Sequence, residues 1–231
     1  MSTTRPPDAV VTDVARGASG GARSPRTRPL CVKVCGLTHA ADVAAAIEAG
    51  ADLLGFNFYA PSPRYVATEA AAPLIRMLPR RVLAVGIFVD PTLDDVRRAI
   101  DAGVRLLQFH GDETAEFCGG FAVPAMKALR VRQLGDIAEA ARAYPEEWWL
   151  LADTADERLR GGTGRALAAE PIDAVLARRL FLAGGLTAES VTDAVRALRP
   201  LGVDVCSGVE YSPGRKNHAL LRAFVSHAKA A

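Results

Sequence analysis

The sequence lacks any run of about 18 consecutive apolar residues, which excludes a helix that crosses a bilayer. Its first residues also lack the apolar stretch of a secretory signal. An excess of one charge is missing: 28 basic residues against 26 acidic ones leave a formal charge of +2. That is too small to predict a nucleic-acid or membrane-surface partner. Cysteines are few, at positions 31, 35, 118 and 206, and make no disulfide framework. With no export signal, this predicts a reducing, cytoplasmic setting. Cys31 and Cys35 do not read as a metal pair, because four residues of strand separate them by about 13 Å. No glycine-rich loop carries the lysine of a P-loop, so a nucleoside triphosphate is not expected. Aromatic residues, 6% of the chain, show no patch that would fix an oligomeric state, and monomer and homodimer both stay open.

What is present is enough apolar material, 50% of 231 residues, for one sizeable core. Residues 1–28 are rich in Arg, Pro, Gly, Ser and Thr and are expected to form a disordered leader. The remainder, 29–231, is expected to be the catalytic domain. Short apolar runs there alternate with stretches of helical spacing. The predicted strands are Cys31–Cys35, Asp52–Phe58, Val82–Val89, Leu106–His110, Ala125–Arg130, Trp149–Asp153, Leu180–Ala183 and Val203–Ser207. Helical spacing marks Ala40–Ala49, Glu69–Leu78, Leu93–Ala102, Asp136–Tyr144, Ala188–Leu198 and residues 219–229. Strands alternating with helices predict an α/β fold with a parallel sheet. Eight units in this length fit a single (β/α)8 TIM barrel. A doubly wound open sheet is the alternative, since periodicity does not show closure, and the strand count favours the barrel.

In a barrel, reactive groups gather at the C-terminal ends of the strands. Cys35 ends the first strand, with Cys31, Lys33 and Cys35 sharing the inward side and Val32 and Val34 the outward one. A thiol near Lys33 can ionise towards neutrality, or it can simply pack as a small apolar group. Asp153 ends the apolar run from Trp148 to Ala152. An apolar rim can raise a carboxyl pKa and keep it protonated as a general acid, whereas capping is its bland role. Arg64, in Ser62-Pro63-Arg64-Tyr65, offers a planar fork to a substrate carboxylate, or lies on the surface. His110 ends the fourth strand and could bind substrate or orient a loop. Three glycine-containing turns follow late strands: Gly161 to Gly164, Gly184-Gly185 and Ser207-Gly208. Their amides can cradle a phosphate, through Gly162, Gly164, Gly184, Gly185, Ser207 and Gly208, or they serve only as helix entries.

Together these segments resemble the phosphoribosylanthranilate isomerase family of tryptophan biosynthesis. The resemblance runs in order through Val32 to Thr38, Gly55 to Tyr59, Ser62 to Val66, Val85 to Val89, Gln108 to Glu113, Gly161 to Gly164, Leu182 to Leu186, Gly202 to Glu210 and Pro213-Gly214. It implies a barrel of the ribulose-phosphate-binding type and a cofactor-free Amadori rearrangement of a small phosphoribosyl amine. It also implies roles: Asp153 as acid, Cys35 as base, Arg64 on the anthranilate carboxylate, and the glycine turns on the 5′-phosphate. The chain departs from the family at Arg165 to Ala168, at Asn217 in place of a usual aspartate, at Cys206 in place of a common serine, and in its leader. Those departures keep a diverged paralogue in play. A related barrel isomerase acting on another phosphoribosyl amine would want an aspartate where Cys35 stands. A catalytically silent phosphate-binding barrel would have no need of Cys35, Asp153 and Arg64 together.

Overall fold

The computed structural model describes residues 29–131, 136–154 and 173–231. The expected leader, the Gly161 to Gly164 turn with Gly162 and Gly164, and the stretch Arg165 to Ala168 lie outside them. Eight parallel strands close into one barrel in chain order. They are β1 (Cys31–Val34), β2 (Leu53–Asn57), β3 (Leu83–Phe88), β4 (Leu106–Phe109), β5 (Ala125–Val131), β6 (Trp149–Thr154), β7 (Leu180–Ala183) and β8 (Gly202–Val205). The predicted (β/α)8 barrel is therefore the observed architecture, and the open sheet is not.

The helices are α1 (Ala40–Ala49), α2 (Thr68–Arg76), α3 (Leu93–Asp101), α4 (Ala115–Gly119), α5 (Ile137–Ala141), α6 (Ala174–Ala177), α7 (Val191–Leu198) and α8 (His218–Ala230). The sequence reading has no counterpart for α4 and α6. At five and four residues, they are too short to display a 3.6-residue period. Capping fixes where several others begin. Thr92 and Asp95 exchange hydrogen bonds in a capping box at α3. Asn217, one of the departures noted above, accepts from the amides of Ala219 and Leu220 at the head of α8. Asparagine caps about as well as aspartate, so this departure leaves the helix start intact.

Strand alternation divides the core in two. Val32, Val34, Leu54, Phe56, Leu107 and Phe109 face outward into the layer beneath the helices. Cys31, Leu53, Leu83, Leu106, Met126, Trp149 and Phe181 fill the barrel interior, and Cys35 packs against them from above. The expected inward side of β1 is thus the observed one. The interior also holds charge. Lys33 is wholly buried and donates to Asp204 at 2.9 Å across the β1–β8 seam, where the two are register partners.

Glu113, in the loop after β4, is a buried brace. It accepts from the amides of Asp90 and Gly111 and pairs with buried Lys127 at 2.6 Å. Every charge of that pair is matched, as burial requires. The loop after β4, which carries His110, is thereby fixed.

At the same seam, a Cβ added to Gly202 would lie 2.7 Å from the Cys31 carbonyl oxygen and against the Phe181 ring. Backbone and a packed aromatic cannot both yield. Gly202→Ala is expected to destabilise the fold by about 1–3 kcal/mol, seen as a lower urea midpoint at unchanged slope. An unchanged midpoint would contradict this packing.

Candidate active site

A cavity of ≈ 290 Å³ opens at the C-terminal ends of the strands. It is lined by Cys35, Arg64, His110, Asp153, Gly184, Gly185, Ser207 and Gly208 among others. Every proposed site residue within the described segments therefore reaches one concavity, of a size near the lower end for small-molecule pockets.

Cys35 lies one residue past the end of β1, its amide donating to the Val205 carbonyl at 2.9 Å. The register Val34 with Val205 makes Cys206, one residue past β8, its neighbour. A hydrogen bond from the Cys206 thiol, then the charges of Lys33 and Lys216, overcome the cost of burial and hold Cys35 well below the ordinary thiol range. The same pairing and burial push Cys206 the other way, so of the two thiols Cys35 is the one favoured as an anion. Beneath them, Asp204 and Cys35 outweigh burial and keep Lys33 above its usual range. Burial pushes Asp204 up to about 6 against the pull of Lys33.

Asp153 sits near the end of β6, with Oδ2 3.2 Å from Nε2 of His110. The carbonyl of His110 accepts from Arg130 at 2.8 Å, which brings a guanidinium to the same corner. The sequence reading expected an apolar rim to raise the Asp153 pKa. The structure corrects this: the hydrogen bond from His110, with the charges of His110, Arg130 and Lys33, holds it below its usual range. The apolar run of β6 alternates inward and outward, and the neighbours that decide the charge come from β4, β5 and β1.

Arg64 is steered by its loop. Asn57 at the end of β2 donates to the Ser62 hydroxyl at 3.0 Å, and that hydroxyl accepts from the Arg64 amide at 3.2 Å. The guanidinium meets Glu210 through Nε at 3.0 Å and Nη2 at 2.6 Å, a fork that fixes its plane. None of these bonds uses Nη1. Buried Lys216 also donates to Glu210 at 2.7 Å and sits 3.8 Å from the Cys206 sulfur. Arg64 is thus held in place before any ligand arrives, and it lines the cavity.

Gly184 and Gly185 both have positive φ, 91° and 73°, which only glycine adopts freely and which lets their backbone approach a ligand. Ser207 was expected in the last strand. It opens a short 3-10 turn, Ser207–Val209, because Cys206 leaves the extended region at φ −129° and ψ −85°. A side chain on Gly208 would collide with the Leu186 carbonyl, so the two glycine turns pack directly on one another.

Asp204, Glu210, Lys216 and Gln108 were given no role on sequence. Counting alternate residues along β8 turns Asp204 and Cys206 inward, so that signal was available. Glu210 and Lys216 lie in a small hairpin, β9 (Glu210–Ser212) and β10 (Arg215–Lys216), which carries no local signature pointing at the barrel mouth. Gln108 is 2% exposed, and its Oε1 has no hydrogen-bond partner among the described residues, an acceptor on the cavity wall.

The family model described as N-(5'phosphoribosyl)anthranilate (PRA) isomerase matches residues 32–227. An N-(5'-phosphoribosyl)anthranilate isomerase of Pseudomonas fluorescens (strain Pf0-1) is 48% identical over 195 residues, covering 84% of this chain and 96% of that one. Among solved structures, a phosphoribosyl anthranilate isomerase in complex with reduced 1-(o-carboxyphenylamino)-1-deoxyribulose 5-phosphate superposes with a TM-score of 0.74. It is 33% identical and covers 87% of this chain and all of that one. Monomers generated from the dimeric enzyme of Thermotoga maritima give a TM-score of 0.72 at 33% identity, with the same two coverages. On the extent of these matches, the chain belongs to the N-(5'-phosphoribosyl)anthranilate isomerase family.

Proposed function

We infer that this barrel isomerises N-(5'-phosphoribosyl)anthranilate to 1-(o-carboxyphenylamino)-1-deoxyribulose 5-phosphate, a step of tryptophan biosynthesis. The observation that carries the reading is a cation-surrounded thiol and a carboxyl on the wall of one cavity. Family membership names the substrate, and the chemistry of the wall supplies the groups that substrate needs.

Asp153 acts as the acid. It protonates the ribose ring oxygen, the C1′–O bond breaks, and the nitrogen lone pair forms a Schiff base at C1′. Cys35, as thiolate, takes the proton from C2′, and the electrons flow into an enolamine that tautomerises to the ketone. Proton removal and delivery balance, so one acid and one base suffice without a cofactor. In the free cavity His110 keeps Asp153 ionised. A bound substrate brings a carboxylate and a phosphate and displaces water, and both effects favour the protonated carboxyl. Arg64 takes the anthranilate carboxylate. Amides at Gly184, Gly185, Ser207 and Gly208 take the 5′-phosphate, joined by Gly162 and Gly164, and His110 contacts the sugar while orienting Asp153.

The same reading treats residues 29–231 as one catalytic domain. It places the enzyme in the cytoplasm as a monomer or homodimer with no macromolecular substrate. No helix among the described residues is long and apolar enough to cross a membrane, and the Thermotoga maritima relative is described as dimeric.

Loss of anthranilate fluorescence from freshly made substrate measures turnover. Cys35→Ser and Asp153→Asn are each expected to lower kcat at least about a hundredfold while keeping affinity for a phosphorylated product analogue. Normal turnover in both would end the assignment. Arg64→Lys should mainly raise KM, because a point charge replaces the fork that Glu210 aligns. A kcat loss without a KM change would place Arg64 elsewhere in the mechanism. Iodoacetamide labelling of Cys35 against pH reads the thiolate directly. Removing the donor with Cys206→Ala takes away stabilisation of the charged form, so the labelling midpoint is expected to rise in pH.

A further inference from the structure

Cys35 and Cys206 are the only cysteines of the four that stand side by side. They flank the β1–β8 seam one residue beyond the last register pair, Val34 with Val205, and both line the cavity. Neighbouring strands lie about 4.8 Å apart, within the range of Cα separations that a disulfide spans. Cys31 is about 13 Å further down β1, too far to compete. Cys118 packs in the outer layer beneath the helices, with the barrel wall between it and the cavity. Charged side chains fix the position of Cys206: Lys216 is 3.8 Å from its Sγ, Glu210 Oε1 is 3.9 Å from it, and the Arg64 fork is tied to Glu210. Lys33 and Lys216 are both fully buried, so the positive charge facing the sulfurs is not screened by bulk water.

We propose that Cys35 and Cys206 form a reversible disulfide under peroxide, which makes the cavity an oxidation-sensitive site with Cys206 as the resolving thiol. The Cys35 thiolate attacks one peroxide oxygen, the O–O bond breaks, and the departing hydroxide takes a proton from solvent to leave as water. Cys35 is then a sulfenic acid. Cys206 attacks its sulfur, the S–O bond breaks, and the Cys206 proton leaves with the hydroxide as a second water. Two thiols are oxidised by two electrons, and one peroxide is reduced to two waters. The positive surroundings favour the first step, because thiolate is the reacting form. The second step needs only the thiol at the adjacent strand end. The bridge would remove the sulfur lone pair that abstracts the C2′ proton. This consequence rests on the role given to Cys35 above; formation of the bridge does not.

The full-length chain, freshly reduced, is treated with graded hydrogen peroxide, blocked with iodoacetamide, digested without reductant and mapped by mass spectrometry. The expected result is a peptide pair joining Cys35 to Cys206, a loss of turnover of at least about tenfold in step with it, and recovery with dithiothreitol. Cys206→Ser, measured against its own untreated activity, is expected to give no bridge. Its Cys35 should advance to sulfinic acid, and dithiothreitol should no longer restore turnover. Wild-type Cys35 oxidised to sulfinic acid while Cys206 stays alkylatable would overturn the proposal, as would a bridge through Cys31 or Cys118. A mapped Cys35–Cys206 bridge with undiminished turnover would overturn the gating claim. Full turnover by untreated Cys35→Ser is a separate result, which removes the catalytic reading and leaves the mapped bridge to be judged alone.

Discussion

Inside a largely apolar barrel, Lys33 reaches across the β1–β8 seam to Asp204 at 2.9 Å, and much else is arranged around that pair. It sits where the last strand meets the first, so the closure of the sheet and the placement of the charge are one event. Neither partner is affordable alone at such depth, since an unpaired buried charge costs several kcal/mol. The pair also sets the field at the barrel mouth. Lys33 lies under Cys35, Lys216 lies beside Cys206, and together with the Cys206 thiol they favour sulfur as an anion.

One of those cations, Lys33, also pulls on Asp153, the proposed acid. Asp153 is held ionised by His110, Arg130 and, more weakly, Lys33. A site that favours an anionic Cys35 therefore also disfavours a protonated Asp153 while it is empty. The resolution we propose is that the substrate carries its own negative charge, at the carboxylate and the phosphate, and so tips Asp153 towards its neutral form only when there is something to protonate. Binding and acid activation then share one electrostatic cause. Arg64 fits this arrangement because Glu210 neutralises part of its charge beforehand and leaves its plane fixed.

Much of this was legible in order along the chain. The eight-strand alternation gave the barrel, and the inward side of β1 followed from the two-residue period, with Val32 and Val34 outside and Cys31, Lys33 and Cys35 within. Position at the strand ends then picked out Cys35, Arg64, His110 and Asp153 before any geometry was known, and all four line the cavity. Short helices such as α4 and α6 were illegible because four or five residues cannot express a helical period. The last strand ends two residues earlier than expected because the chain bends at Cys206, ahead of Gly208, and Cys206 itself carries no breaker signal.

The sequence by itself determined the architecture, the inward stripe and the chemical types at the rim, because all three follow from periodicity and residue identity along neighbouring positions. Only the tertiary structure decided the charge states. The lowered pKa of Asp153 depends on His110 and Arg130, 43 and 23 positions away in the chain, and that of Cys35 depends on Cys206 and Lys216, which come from beyond the end of β8. Coulombic and hydrogen-bond energies fall with distance in space and not with separation along the chain, so a pKa is settled only once the barrel has closed.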